Sequence, residues 1–126
     1  VLDALLVREI KALGPKVVGV VKGRPVLTDV TMEDAKRSGT IDEFDEVITT
    51  GMFAVGIDVH RMGDRLRREM EGADLIISKG MANFESLSDA PYRPIAFVMK
   101  AKCLPVAEAV RAKEGDNVVR LLERKC

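Results

Sequence analysis

Short runs of β-branched and aliphatic residues recur along this chain with helix-like segments between them, and that alternation constrains the fold more than any other feature. The runs are Lys16–Lys22 (KVVGVVK), Glu46–Thr50 (EVITT), Asp74–Ser78 (DLIIS), Pro94–Met99 (PIAFVM) and Val118–Leu122 (VVRLL). Runs this short and this apolar, bounded by turn residues, are the pattern of strands covered on both faces. Leu2, Leu5, Leu6, Ile10 and Leu13 form a helical stripe that Gly14-Pro15 stops. Thr31 with Asp34 makes a weak capping box for a short helix after the Gly23–Val30 loop. Val59, Met62, Leu66 and Met70 share one face of a helix expected from Asp58 to about Glu71, which Gly72 closes. Pro105 suits the first position of a helix to about Ala112, and Gly115-Asp116-Asn117 is a turn. Strand and helix in alternation call for an α/β fold. The expectation is one three-layer, Rossmann-like domain over residues 1–126, with a mostly parallel sheet of about five strands and helices on both faces.

Charge narrows the partners. Lys plus Arg and Asp plus Glu both number 20, so no basic footprint for nucleic acid dominates the chain. Neither a membrane-spanning apolar run nor a signal-peptide pattern is read, and two cysteines, Cys103 and Cys126, are too few for a disulfide framework. No nucleic-acid or membrane partner is expected, a homo-oligomer stays open, and the expected location is the cytoplasm. The first residues, Val1 to Val7, read as mid-helix with no initiator Met or cap before them. The chain is therefore expected to be the C-terminal part of a longer protein.

In α/β sheets ligands bind beyond the carboxyl ends of the strands. Four such ends hold Lys22 to Thr31, Thr49-Thr50-Gly51, Lys79 to Glu85, and Lys100-Ala101-Lys102-Cys103. Each has an ordinary reading: Lys-Gly as a solvated turn, Thr-Thr-Gly as a strand end, Asp29 as a helix cap. Taken as a set, they put small hydroxyls, glycines, cations and one carboxylate on one expected edge. Gly80 lets backbone approach a ligand, and the amides after it offer a positive end for phosphate. Lys79 adds a charge and Asn83 a neutral donor, while Asp29 suits a hard divalent cation. The set tips the balance only slightly from these ordinary readings toward a phosphate-bearing ligand, with Mg or Mn as an added option, and no reaction follows from it. His60 reads as a solvated helix residue, Cys103 as a small buried residue before a helix, and Arg61 to Arg68 as a solvated face. Nothing supports a nucleophile–His triad.

These residues resemble a family. Pro25-Val26-Leu27-Thr28-Asp29-Val30-Thr31-Met32-Glu33-Asp34-Ala35, Thr50-Gly51, Lys79-Gly80-Met81-Ala82-Asn83-Phe84-Glu85 and Lys100-Ala101-Lys102-Cys103 look like the damage-control phosphatases, first catalogued as domain of unknown function eighty-nine. The Lys-Gly-x-x-Asn-x-Glu segment is the most specific of these. The resemblance implies a metal-dependent hydrolase, using Mn, Mg, Co or Ni, that acts on small phosphorylated metabolites in metabolite damage control. It implies Asp29 as metal ligand and catalytic carboxylate, and Lys79 as catalytic and substrate-binding. Thr50, Gly51, Gly80, Asn83 and, by a looser match, Lys102 would bind substrate. It implies further ligands from an Asp-Asn-x-Gly-Glu motif on a strand before the first helix. That motif is not in this sequence, although Asp3 could be its remnant. Thr28 stands where the family has Asn, and Met99 where an Arg is expected before the lysine. Whether an Asp activates water or becomes phosphorylated stays open. The leading expectation is a metal-assisted phosphomonoesterase; the alternatives are a non-catalytic phosphometabolite-binding domain and a structural domain that meets a partner through its arginines.

Overall fold

In a computed structural model, residues 2–123 are described, so Val1 and Cys126 lie outside the described residues. The elements are α1 (Leu2–Ala12), β1 (Val18–Val21), α2 (Met32–Arg37), a 3-10 turn (Thr40–Glu43), β2 (Glu46–Thr49), α3 (Asp64–Gly72), β3 (Ile76–Lys79), α4 (Met81–Leu87), β4 (Ile95–Lys100), α5 (Leu104–Ala109) and β5 (Asn117–Leu122). The chain divides into two compact units. One comprises residues up to Phe53 with Met62–Leu66; the other comprises Ala54–Arg61 and residues from Arg67 onward.

The α/β class and all five apolar runs are found as expected, but the pairing differs. Among the described residues the strands form two sheets rather than a single run of five, with orders β1-β2 and β3-β4-β5. Within them β1–β2 and β3–β4 are parallel, whereas β5 runs antiparallel to β4. The reason for the reversal is local. Ala101 N–H donates to Asp116 O at 2.9 Å and Gly115 N–H to Ala101 O at 2.7 Å, so the chain after α5 is tied at once to the end of β4. No crossover then remains to carry it back to the other end of the sheet.

In the first unit β1 pairs with β2 from Val18↔Glu46 to Val21↔Thr49. Gly19 is required here, because a Cβ would stand 2.8 Å from the Phe44 ring that lies on the strand. The Thr31/Asp34 capping box is present: Asp34 N–H donates to Thr31 Oγ1, and Thr31 N–H donates to Asp34 Oδ2. The Thr31 hydroxyl, with the Thr31 N–H, holds the Asp34 carboxyl below its ordinary value. Arg8 pairs with Glu43, and Lys11 with Asp45 at 3.2 Å, which fastens α1 to the 3-10 turn. Val7 is buried, whereas Leu2, Leu5, Leu6 and Leu13 are exposed.

α3 starts at Asp64, six residues later than its apolar spacing suggests, since Asp58 begins a turn instead. His60 N–H donates to Asp58 Oδ1 at 2.9 Å and Arg61 N–H to Asp58 O at 3.1 Å. An Asp side chain bonding two residues ahead competes directly with helix. His60 is therefore exposed on a turn rather than on a helix. Met62, Leu66 and Met70 are buried as the spacing implies.

The second unit packs α4 onto β3–β4. Phe84 meets Phe97 edge to face, with ring centroids 5.1 Å apart, and Phe97 and Ile95 are fully buried. Arg93 donates to the carbonyls of Ala90, Tyr92 and Ser88, closing the loop between α4 and β4.

Candidate functional site

The expected site residues fall on the carboxyl edges of the two parallel strand pairs. At the first, Lys22 N–H donates to Val30 O at 2.9 Å, and Lys22 bridges to Thr31, so the loop between them leaves and returns to the end of β1. That return sets Asp29 Oδ2 3.6 Å from Lys22 Nζ. The Asp29 side chain is 48% exposed and that of Lys22 only 11%, so the carboxylate faces outward over a largely covered ammonium. The loop turns at Leu27, whose φ of 51° lies in the left-handed region, and Asp29 N–H donates to Val26 O at 3.0 Å. A leucine there stores roughly 1–2 kcal/mol of strain. Buried Val26 on one side and the Lys22–Val30 bond on the other hold it.

Thr50 is nearly inaccessible, at 3% exposure. Its hydroxyl accepts from Gly23 N–H at 3.3 Å and donates to Met52 O at 3.2 Å. Its backbone N–H donates to Val21 O, and its carbonyl accepts from Gly63 N–H. The residue knots β1, β2 and two loops together, and its hydroxyl is committed to its own chain. Gly51 follows at φ +69°, where a Cβ would stand 2.9 Å from Gly63 Cα. Gly23, Arg24, Thr49, Gly51, Met52 and Phe53 line an open depression of about 300 Å³.

At the second edge β3 ends in Lys79, and Gly80 takes φ 92°, ψ 150° before α4. Only glycine adopts that backbone readily, although there is space for a Cβ. Gly80 N–H donates to Val98 O at 3.0 Å. Asn83 Nδ2 donates to Lys79 O at 2.8 Å, so one amide hydrogen fixes the turn that presents Lys79. Asn83 Oδ1 and Ser78 Oγ are buried without a hydrogen-bond partner. The loop after β4 comes to the same place: Lys102 N–H donates to Met81 Sδ at 3.4 Å, and Cys103 Sγ lies 3.9 Å from that sulfur. Cys103 is half-buried at the start of α5, and Lys102 is exposed.

The structure thus gathers Asp29, Thr50 and Gly51 on one edge, and Lys79, Gly80, Asn83 and Lys102 on the other. Lys22, Arg24 and Phe53 were given no individual role from the sequence, and the structure sets them at the first edge as well. Lys22 and Arg24 flank Gly23 at a strand end, a position that the carboxyl-edge rule already marks. Among the described residues no three His, Cys, Asp or Glu side chains gather in a metal-holding arrangement. Asp29 offers one accessible hard oxygen ligand, and Mg is commonly held by one or two carboxylates with water and substrate phosphate. As a single ligand it fits such an ion.

A family model described as the damage-control phosphatase ARMT1-like domain matches residues 1–118. The chain is 45% identical over 121 residues to a damage-control phosphatase of Archaeoglobus fulgidus, covering 96% of this chain and 42% of that protein. It is 35% identical over 117 residues to a damage-control phosphatase of Pyrococcus horikoshii, covering 92% of this chain and 40% of that one. A crystal structure of a DUF89 family protein from Pyrococcus horikoshii superposes with a TM-score of 0.84 at 34% identity, over 91% of this chain and 40% of that chain. The chain spans about two fifths of the length of these relatives.

Proposed function

Because the chain belongs to the damage-control phosphatase ARMT1-like domain family, we propose that it forms the phosphate-handling part of a metal-dependent phosphatase of small phosphorylated metabolites. The observation that carries this reading is the Lys79-Gly80 turn, fixed by Asn83 and joined by the Lys102 loop at the carboxyl end of β3–β4. Lys79 takes up phosphate charge and Gly80 lets the backbone approach it. Asn83 keeps one amide hydrogen for the ligand after donating the other to Lys79 O. Lys102 adds a second cation. Thr50 serves indirectly by holding the Gly51 loop, whose backbone lies open to substrate. Asp29 contributes a carboxylate to the metal, with Lys22 steadying it. A bound Mn, Mg, Co or Ni ion would supply Lewis-acid polarisation of the phosphoryl oxygens. A phosphomonoester is the expected substrate, the cytoplasm the expected location, and a single mostly parallel Rossmann-like sheet the expected arrangement in the complete enzyme.

The test is phosphate release by the full-length protein from a panel of sugar phosphates and a chromogenic ester, with and without each metal. Turnover only with metal is the expected result. Asp29→Ala should lose metal affinity and turnover together. Lys79→Ala should keep metal binding and weaken phosphate binding by roughly 1.5–3 kcal/mol, the worth of one charge-assisted contact. Binding of phosphometabolites without release under any metal would identify a non-catalytic binding domain instead. Full activity in Asp29→Ala would remove the metal assignment.

A further inference from the structure

Behind the turn that follows β3 lies a further set of hydrogen bonds that the phosphatase reading leaves without a role. All of its members belong to the second compact unit. Ser86, next to last in α4, accepts from Ile57 N–H at 3.1 Å and donates to Asn83 O at 3.3 Å. Its hydroxyl thus ties the stretch before Asp58 to the helix that opens after Gly80. Gly56 makes the approach possible. At φ +73° a Cβ on it would stand 2.8 Å from Ala82 O and 3.0 Å from Ser86 Oγ, so the stretch is seated directly on α4. The Ile57 N–H polarises the Ser86 hydroxyl, which strengthens the bond that this hydroxyl donates. That bond ends on the backbone of Asn83, whose side chain in turn donates to Lys79 O at 2.8 Å. The other end of the Asn83 amide, Oδ1, is buried without a partner. With its oxygen unheld, the aim of this amide rests on the Lys79 bond and on where the Asn83 backbone stands.

We propose that Ser86 is a positioning residue for phosphate binding, which holds the Lys79-Gly80 turn in its receiving form through Ile57 on one side and Asn83 on the other. The proposal rests on the phosphate role of that turn, and it adds to the site a residue that touches no substrate. Hydrogen bonds weaken steeply as donors swing out of line, so the Asn83 amide serves a phosphate only while its backbone stays in place. Without the Ser86 hydroxyl, Ile57 N–H loses its acceptor. An amide part-buried against a helix then reaches water only if the stretch around it lifts away. The Asn83 backbone is released in the same step. The turn holds the phosphoryl group in the ground state and in the transition state alike, so the loss is one of uniform binding. Such a loss raises KM and spares kcat.

The experiment measures kcat and KM of the full-length protein for a chromogenic phosphate ester with metal present, and its affinity for inorganic phosphate by calorimetric titration. Ser86→Ala should raise KM and weaken phosphate binding about threefold to tenfold, the worth of one hydrogen bond, and leave kcat within about twofold. Gly56→Ala forces a Cβ onto Ala82 O and should do the same by pushing the stretch off α4. Because both variants act through one contact, the double variant should be no weaker than the weaker single one. Ser38→Ala removes a bond of the same kind, from Ser38 Oγ to Ala35 O at the end of α2, and should move neither constant. If Ser86→Ala lowers only the unfolding midpoint, or if the Ser86 and Gly56 effects multiply, the positioning role is overturned while the phosphatase reading stands. Phosphate binding without turnover, weakened by Ser86→Ala, would sustain the positioning role and refute the catalytic reading. A full-length protein that neither binds phosphate nor hydrolyses the ester would overturn both.

Discussion

Gly39 and Gly51 allow the backbone cost of a side chain to be separated from its contact cost. Their φ values are nearly equal, +71° and +69°, but a Cβ at Gly39 would meet nothing within 4 Å. At Gly51 it would stand 2.9 Å from Gly63 Cα and 3.1 Å from Gly63 N. Gly39→Ala should therefore lose only the left-handed penalty, roughly 1–2 kcal/mol. Gly51→Ala should lose that and more, since the atoms it meets are backbone and cannot rotate away. Moving Gly63 would stretch the 3.1 Å bond from its N–H to Thr50 O, a further loss of about 1 kcal/mol, before any overpacking of roughly 1–3 kcal/mol. Gly51→Ala should thus be the more destabilised by at least about 2 kcal/mol. Urea unfolding of the full-length protein followed by circular dichroism would show this as a midpoint lower by about 1 M at an m-value near 2 kcal/mol/M. Equal midpoints for the two variants would mean that the loops at Gly51 and Gly63 are not in contact.

Phe97→Ala should cost about 3–5 kcal/mol by calorimetry, because the ring is fully buried against Phe84. Ser78→Ala should leave the melting temperature unchanged or raise it, since it removes a buried hydroxyl without a partner; a clear fall would reveal a partner for it. Thr31→Ala should cost about 0.5–2 kcal/mol through the lost cap, again read from the unfolding midpoint. The Val17 N–H and Lys11 hold the Asp45 carboxyl low, as Thr31 holds that of Asp34. A depressed carboxylate lends stability above its unfolded value that is lost as pH falls through its folded one, so stability should drop below about pH 4, and less steeply in Asp45→Asn.

The strands were legible because each apolar run is short, β-branched and bounded by glycine, proline or a charge. The capping box of Thr31 and Asp34 was legible for the same reason, as a local chemical pattern. Sheet order was not, because two hydrogen bonds at Ala101 decide the direction of β5, and nothing in the periodicity of VVRLL encodes them. The late start of α3 depends on one side chain, Asp58, outcompeting a helix that Val59 and Met62 otherwise favour. At the candidate site the carboxyl-edge rule found positions but not their use. Thr50 was expected to bind substrate, and the structure adds that its hydroxyl accepts from Gly23 N–H and donates to Met52 O. Lys22 was read as the end of a strand, yet it sits under Asp29.

The Thr50 knot has a kinetic meaning. Its amide and that of Gly63 are both donors in bonds that close the same small assembly, so neither can exchange with solvent unless several bonds open together. In a deuterium-exchange experiment this floor should stay dark long after the Leu27 tip has labelled. A ligand arriving there would meet walls already held by these bonds, and little of its binding energy would be lost to ordering them.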